Sequence, residues 1–296
     1  MKRVIYYFLV VLCMTSCYDE DPVRAERGEP RYNLEDDPSD PVQHYIYDFY
    51  QKYRTIILTN PTIYDYKFNF SMKNRIEIIA PKQDKELLYK GLQFVEKVFI
   101  DVYTPEFKEN FFPMSIIMAD TIREAGFGST AIQNSVSSTN FVAIGNIREN
   151  VVDKFTPEEL VKIKAEINGN FWLSYLGKAK NVFEIDSAFY KVSLKDYGKW
   201  LSFYDGVEWE DIDFYSMGFI SDDPEWHEID PDDPYNNIIK APDDALDLKQ
   251  WMCFIFEKTS AEMHEICSKY PKMKQKYEIL RAAMIKCSGF DISSLQ

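Results

Sequence analysis

The chain has 296 residues, enough for one large domain or two small ones, and its 46% hydrophobic and 28% charged residues are an ordinary globular mixture. Its 34 Lys and Arg stand against 48 Asp and Glu, a formal net charge of −14. That balance excludes a phosphate-tracking nucleic-acid binder and a polybasic membrane patch, both of which need a basic face.

The N-terminus carries the sharpest signal. Lys2 and Arg3 precede an apolar run from Val4 to Met14 that is too short to span a bilayer. Small Thr15 and Ser16 follow, then Cys17. Met14-Thr15-Ser16-Cys17 resembles a bacterial lipobox, which implies a signal peptide over residues 1–16 and a mature chain that starts at a lipidated Cys17. Several acyl chains on one residue anchor firmly, since each buried methylene contributes about 0.8 kcal/mol. The acids Asp19, Glu20 and Asp21 resemble the signal that exports lipoproteins of Bacteroidota to the outer face of the outer membrane. Residues 17–40 then read as an acidic flexible linker.

The expected domain covers 41–296, with a sheet and a central helix in 41–177 and a mainly helical part in 178–296. Asp40 as cap and Pro41 at the first position open a helix carried by Tyr45, Phe49, Tyr53 and Ile56. Tyr64, Tyr66, Phe68 and Phe70 alternate, which predicts a strand. Leu88, Leu92, Val95, Phe99 and Val102 predict a second helix, and "PMSIIMA" and "STNFVAIGN" predict buried strands on either side of the loop "REAGFGST". "TPEELVKIKAEINGNFWLSYL" (156–176) opens with a capping box, Thr156 with Glu159, and Pro157 at the first position. Gly169 inside that helix costs about 1 kcal/mol relative to Ala and signals a close approach. Three further helices follow from Asp243, Ser260 and Pro271. Cys253, Cys267 and Cys287 fall in these helices and read as buried thiols, not as a disulfide framework.

Chemistry-bearing motifs are sparse. The three histidines, His44, His227 and His264, form no HExxH, and His264 with Cys267 makes only half a zinc site. The acidic stretch 222–233 (Asp222, Asp223, Asp230, Asp232, Asp233) lacks the spaced pattern of a calcium loop and reads as solvated. Neither a P-loop nor a nucleophile-elbow motif occurs.

The order of the segments "IYDFYQKYRTIIL", "LQFVEKVFIDVY", 156–176, "MGFIS", "APDDALDL" and "KMKQKYEIL" resembles the zinc-binding metallopeptidase lipoproteins of Bacteroidota that accompany SusC/SusD-like importers. The resemblance implies an α+β, zincin-like fold. It puts Ala165 and Gly169 where the family's two zinc-binding histidines stand, keeps Glu166 at the glutamate, and sets Asp244 and Asp247 at the acids of a later segment. Methyl and hydrogen replacing two imidazoles imply a degenerate site with no catalytic residue, no metal and no cofactor.

The function expected on this basis is non-catalytic. The protein would be lipid-anchored on the outer membrane, facing the exterior, as an accessory or substrate-capturing subunit of a SusC/SusD-like importer. It would use a vacated groove beside Ala165 and Gly169 for an oligopeptide or glycan. One rival is a hydrolase, peptidase or glycosidase, pairing Glu166 with Asp244 or Asp247. Another is a stand-alone glycan- or peptide-binding lipoprotein using exposed, coplanar members of Trp200, Trp209 and Trp226.

Overall fold

A computed structural model describes residues 32–67, 75–125, 130–201, 212–228 and 238–295. The chain divides into two compact units, Met1–Glu35 and Asp36–Gln296, and the architecture below belongs to the second. Cys17 and the signal segment lie outside the described residues, as do Phe68, Phe70, Trp209, Asp230, Asp232 and Asp233.

Helix α1 (Pro41–Tyr53) is capped by Asp40, whose carboxylate accepts from the amides of Val42 and Gln43. Its buried face is Val42, Ile46 and Phe49. The expected continuation to Ile56 stops at Arg54, which turns into the left-handed region and releases Ile56–Leu58 as strand β1. The strand expected at Tyr64 and Tyr66 is instead a short helix, α2 (Ile63–Tyr66). Asp65 accepts from both the amide and the hydroxyl of Thr62, at 2.6 and 2.8 Å. This local cap outweighs the alternating aromatic pattern.

Strand β2 (Ile76–Ile79) precedes α3 (Lys85–Val98), which buries Leu88, Leu92 and Val95 as its spacing predicts. Helix α4 (Pro105–Phe111) leads to β3 (Ser115–Met118). Strands β4 (Thr121–Ala125), β5 (Thr130–Gln133), β6 (Ser135–Ser137) and β7 (Phe141–Ile144) follow. Four strands form one sheet in the order β1-β3-β7-β6; the first three run parallel and β6 closes the edge antiparallel to β7. Ile116, Ile117, Met118 and Phe141 to Ile144 are buried almost completely, as a parallel sheet covered on both faces requires. β2, β4 and β5 make a second, antiparallel sheet.

Helix α5 (Pro157–Asn170) has the expected capping box and runs on without a break as a π-helix over Phe171–Ala179. Short helices α6 (Ala188–Lys191) and α7 (Phe214–Met217) precede β8 (His227–Glu228) and β9 (Ile238–Ile239). The chain then turns fully helical in α8 (Asp244–Glu257), α9 (Ser260–Lys269) and α10 (Pro271–Ser288). The result is a mixed α+β fold.

Many of its aromatic side chains share one core. Phe99, Tyr103, Phe107, Phe112, Phe171, Trp172 and Phe290 meet in stacked, tilted and edge-to-face contacts between α3, α4, the π segment and the C-terminus. The Asn168 side chain, buried beside it, is fully hydrogen-bonded. Asn168 accepts from the Tyr103 hydroxyl at 2.7 Å and donates to the carbonyls of Val98 and Lys164 at 2.9 and 2.7 Å.

Candidate functional site

Two polar assemblies carry the residues singled out from the sequence. The first surrounds α5. Ala165 is 2% exposed and shares a helix face with Gly169, one turn on. A β-carbon placed on Gly169 would lie 3.2 Å from the amide nitrogen, and equally from the sulfur, of Cys253 on α8. The face expected to border an open groove is therefore filled by a neighbouring helix. The absence of a side chain at Gly169 lets the α5 and α8 backbones come together where a larger residue would hold them apart.

Glu166 points elsewhere. It is exposed and accepts a hydrogen bond from the Asn134 side chain, at the corner between β5 and β6. The Asn146 side chain donates to Oδ1 of Asn134 at 2.7 Å. One turn along, Asn170 donates to the backbone oxygen and hydroxyl of Ser135 at 3.3 and 3.1 Å and accepts from Ser174 at 2.7 Å. A row of amides thus ties the solvent side of α5 to the edge strand β6. Glu166 enters this row through an uncharged partner.

The second assembly gathers three of the segments that carried the resemblance. Asp247 on α8 and Lys276 on α10 form an ion pair at 2.6 Å with neither side chain exposed. Tyr197 donates to the same carboxylate oxygen at 2.7 Å. The ammonium of Lys276 also lies 4.8, 5.5 and 4.9 Å from the ring centres of Phe189, Tyr197 and Phe219. Phe219 belongs to the "MGFIS" turn, in which Gly218 holds φ at +86°. A β-carbon at Gly218 would approach the Ser193 hydroxyl to 2.8 Å, and the Gly218 carbonyl accepts from the indole of Trp251 at 3.0 Å. Burial pulls Lys276 down to about 8 against the opposing pull of Asp247. Burial likewise pushes the Asp247 carboxyl up, partly offset by Lys276 and Tyr197. The second carboxylate oxygen of Asp247 is buried without a hydrogen-bond partner.

Glu166 and Asp247 therefore face different neighbours, the β5–β6 corner and α10. Asp244 is exposed at the start of α8 and joins neither set of hydrogen bonds described above. The five residues of the expected degenerate zinc site are not assembled around a common point by these contacts. Among the described residues no group of three or more His, Cys, Asp and Glu gathers in a way that would hold a metal ion. The three thiols are partly rather than fully buried, and burial pushes Cys253 up to about 11. Asp222 is engaged by His227, and Asp223 caps the short turn that follows it.

Sequence reasoning missed Lys276 and Tyr197. The signal for Lys276 was present: it interrupts the apolar stripe Met273, Leu280, Met284 of α10 at a position that must be buried. Tyr197, in an irregular stretch, had no such signal.

No protein-family model matches the chain, and no curated protein matches it. Among solved structures, the chain is similar to a crystal structure described as a putative zinc-binding metallo-peptidase from Bacteroides caccae. The two are 12% identical, with 88% of this chain and 90% of that one covered and a TM-score of 0.39. A likeness at that level leaves the activity of this chain open.

Proposed function

We propose that the protein is a non-catalytic, lipid-anchored surface protein with a zincin-like fold whose metal-binding helix has been turned over to packing. In this reading it acts as an accessory or substrate-capturing subunit of a SusC/SusD-like outer-membrane importer. The observation that carries the proposal is the contact of Gly169 with Cys253. The helix face on which the resemblance sets two zinc ligands holds only a methyl and a hydrogen; the methyl is buried, and α8 stands directly against the hydrogen. A hydrolase built on the retained acids is less well supported, because Asp247 is committed to Lys276 and Tyr197 with no exposed surface. Capture then falls to the exposed surface instead of a groove at Ala165 and Gly169.

The test is extraction of native outer membranes in mild detergent with the protein tagged, followed by identification of co-purifying chains. Importer subunits are the expected partners. Their absence, together with full protection of the protein from protease added to intact cells, overturns the reading.

A further inference from the structure

Trp200 and Trp226 stand out from the other described tryptophans. Trp172 and Trp251 are completely buried, whereas Trp200 and Trp226 are 40% and 43% exposed. Their ring centres lie 5.3 Å apart with planes at 81°, so they touch edge to face. The isolated bridge between Trp200 and Lys240 and the pairing of β8 with β9 hold this corner together. Such an arrangement is costly to leave in water, since each indole offers a large apolar face.

The surroundings say what kind of ligand fits. The Lys240 ammonium already lies 5.6 and 5.5 Å from the two ring centres. A ligand cation brought to the same rings would meet it with like charge. Asp223 lies beside Lys240, Asp222 beside His227, and Glu225 and Glu228 are close chain neighbours of Trp226, so this stretch is predominantly acidic and disfavours an anion. Asp223 is 4.0 Å from Lys240, and Asp222 pairs with His227, so the rim presents fixed acceptors and donors side by side. A neutral molecule with an apolar face and a belt of hydroxyls satisfies both features at once. Its C–H face covers an indole, and its hydroxyls hydrogen-bond to the carboxylates and the ammonium.

We infer that the Trp200–Trp226 corner is a binding site for a neutral sugar ring. The rings are exposed but perpendicular, so they do not make the coplanar platform that would have supported the stand-alone glycan-binding rival. They do not form a flat track along which a chain of sugars lies, so the corner takes one pyranose at a time on an indole face. This deepens the capture reading by naming a ligand class and rests on that reading for its biological setting.

The experiment uses the purified full chain, labelled with nitrogen-15, and follows its indole N–H signals. Trp200→Phe and Trp226→Phe assign the two signals. The probes are neutral gluco-, xylo-, manno- and galacto-oligosaccharides, with polygalacturonate and oligolysine as charged comparators. At least one neutral probe is expected to shift the Trp200 and Trp226 signals while leaving those of Trp172 and Trp251 in place. Trp226→Ala should then weaken binding on the order of tenfold, the loss usual for an aromatic anchor. The inference is overturned if no neutral probe moves the two signals, if only a charged comparator does, or if all indoles move together. A negative result with importer subunits still co-purifying removes the ligand class alone and leaves the capture role standing.

Discussion

Gly169 and Cys253 lie against each other across the interface of α5 and α8, where a β-carbon on Gly169 would come within 3.2 Å of the Cys253 amide nitrogen and sulfur. Two effects oppose each other in Gly169→Ala. Helix propensity favours alanine by about 1 kcal/mol. The new methyl would sit 3.2 Å from backbone atoms of α8, and a helix backbone yields less readily than a side chain. Overpacking is expected to win, with a net loss of about 1 kcal/mol or more in denaturant unfolding. A rise in the unfolding midpoint would show that the interface has slack.

The same contact decides what two histidines would do. Ala165→His with Gly169→His restores the imidazoles in sequence but drives the second into α8 and forces the first into a buried position. The expected result is a destabilised protein, by more than the single alanine change, that takes up no zinc when titrated with the metal. Stoichiometric zinc binding by a folded double variant would reinstate an open groove.

Much of the helical framework was legible because its signals are local. Thr156 with Glu159, Asp243 before Leu246 and Pro271 at the start of α10 each fix a helix end through a few neighbouring residues. The strands β3 and β7 were visible as unbroken apolar runs. Strands β4, β5 and β6 were not, since "TIREA", "TAIQ" and "SVS" are short and partly polar and owe their state to partners elsewhere in the sheets. For the candidate site, spacing placed Ala165 and Gly169 correctly on one face and Glu166 off it. What lay against that face is α8, more than seventy residues downstream, and no helical period reports it.

Asn168 offers a second test of the central helix. It is completely buried and joins Tyr103, Val98 and the preceding turn of α5. Asn168→Ala leaves the Val98 carbonyl without this donor and the Tyr103 hydroxyl without this acceptor. A loss of about 1–3 kcal/mol is expected from unfolding curves. A change below a few tenths would mean that those groups find other partners.

The C-terminal turn predicts an acid-sensitive contribution. Arg281 grips Asp291 through two bonds, Nε to Oδ1 at 2.7 Å and an Nη to Oδ2 at 2.6 Å. The guanidinium, with help from Ser293, holds the Asp291 carboxyl well below its ordinary range. A depressed folded value means that the contribution is present above the unfolded pKa of about 4 and is lost as pH falls below it. Wild type and Asp291→Asn should differ in melting temperature at pH 6, and the gap should narrow steadily below about pH 4. A gap independent of pH would assign the loss to the turn's hydrogen bonds instead of its charge.

The ion pair of Asp247 and Lys276 gives the most demanding prediction. Lys276→Met keeps most of the side-chain volume but leaves Asp247 buried without a countercharge, and breaking such a pair from one side costs about 3–5 kcal/mol. Replacing both, Lys276→Met with Asp247→Asn, removes the charge as well and keeps a partner for the Tyr197 hydroxyl. Because a buried pair contributes little net stability, the double variant should recover more than half of the loss. The pH dependence follows from the sign of the carboxyl shift. Burial already pushes Asp247 up in the wild type, and removing Lys276 removes the largest opposing influence. In Lys276→Met the folded state therefore binds the Asp247 proton more tightly than the unfolded chain does. Its stability must fall as pH rises from the unfolded value of about 4 through the raised folded value. Urea unfolding at pH 7 and pH 4.5 should show the deficit of Lys276→Met against wild type shrinking at the lower pH, while the double variant shows no such trend. A deficit under about 1 kcal/mol at pH 7, or one that grows on acidification, would mean that Asp247 is not held in the dry environment described above.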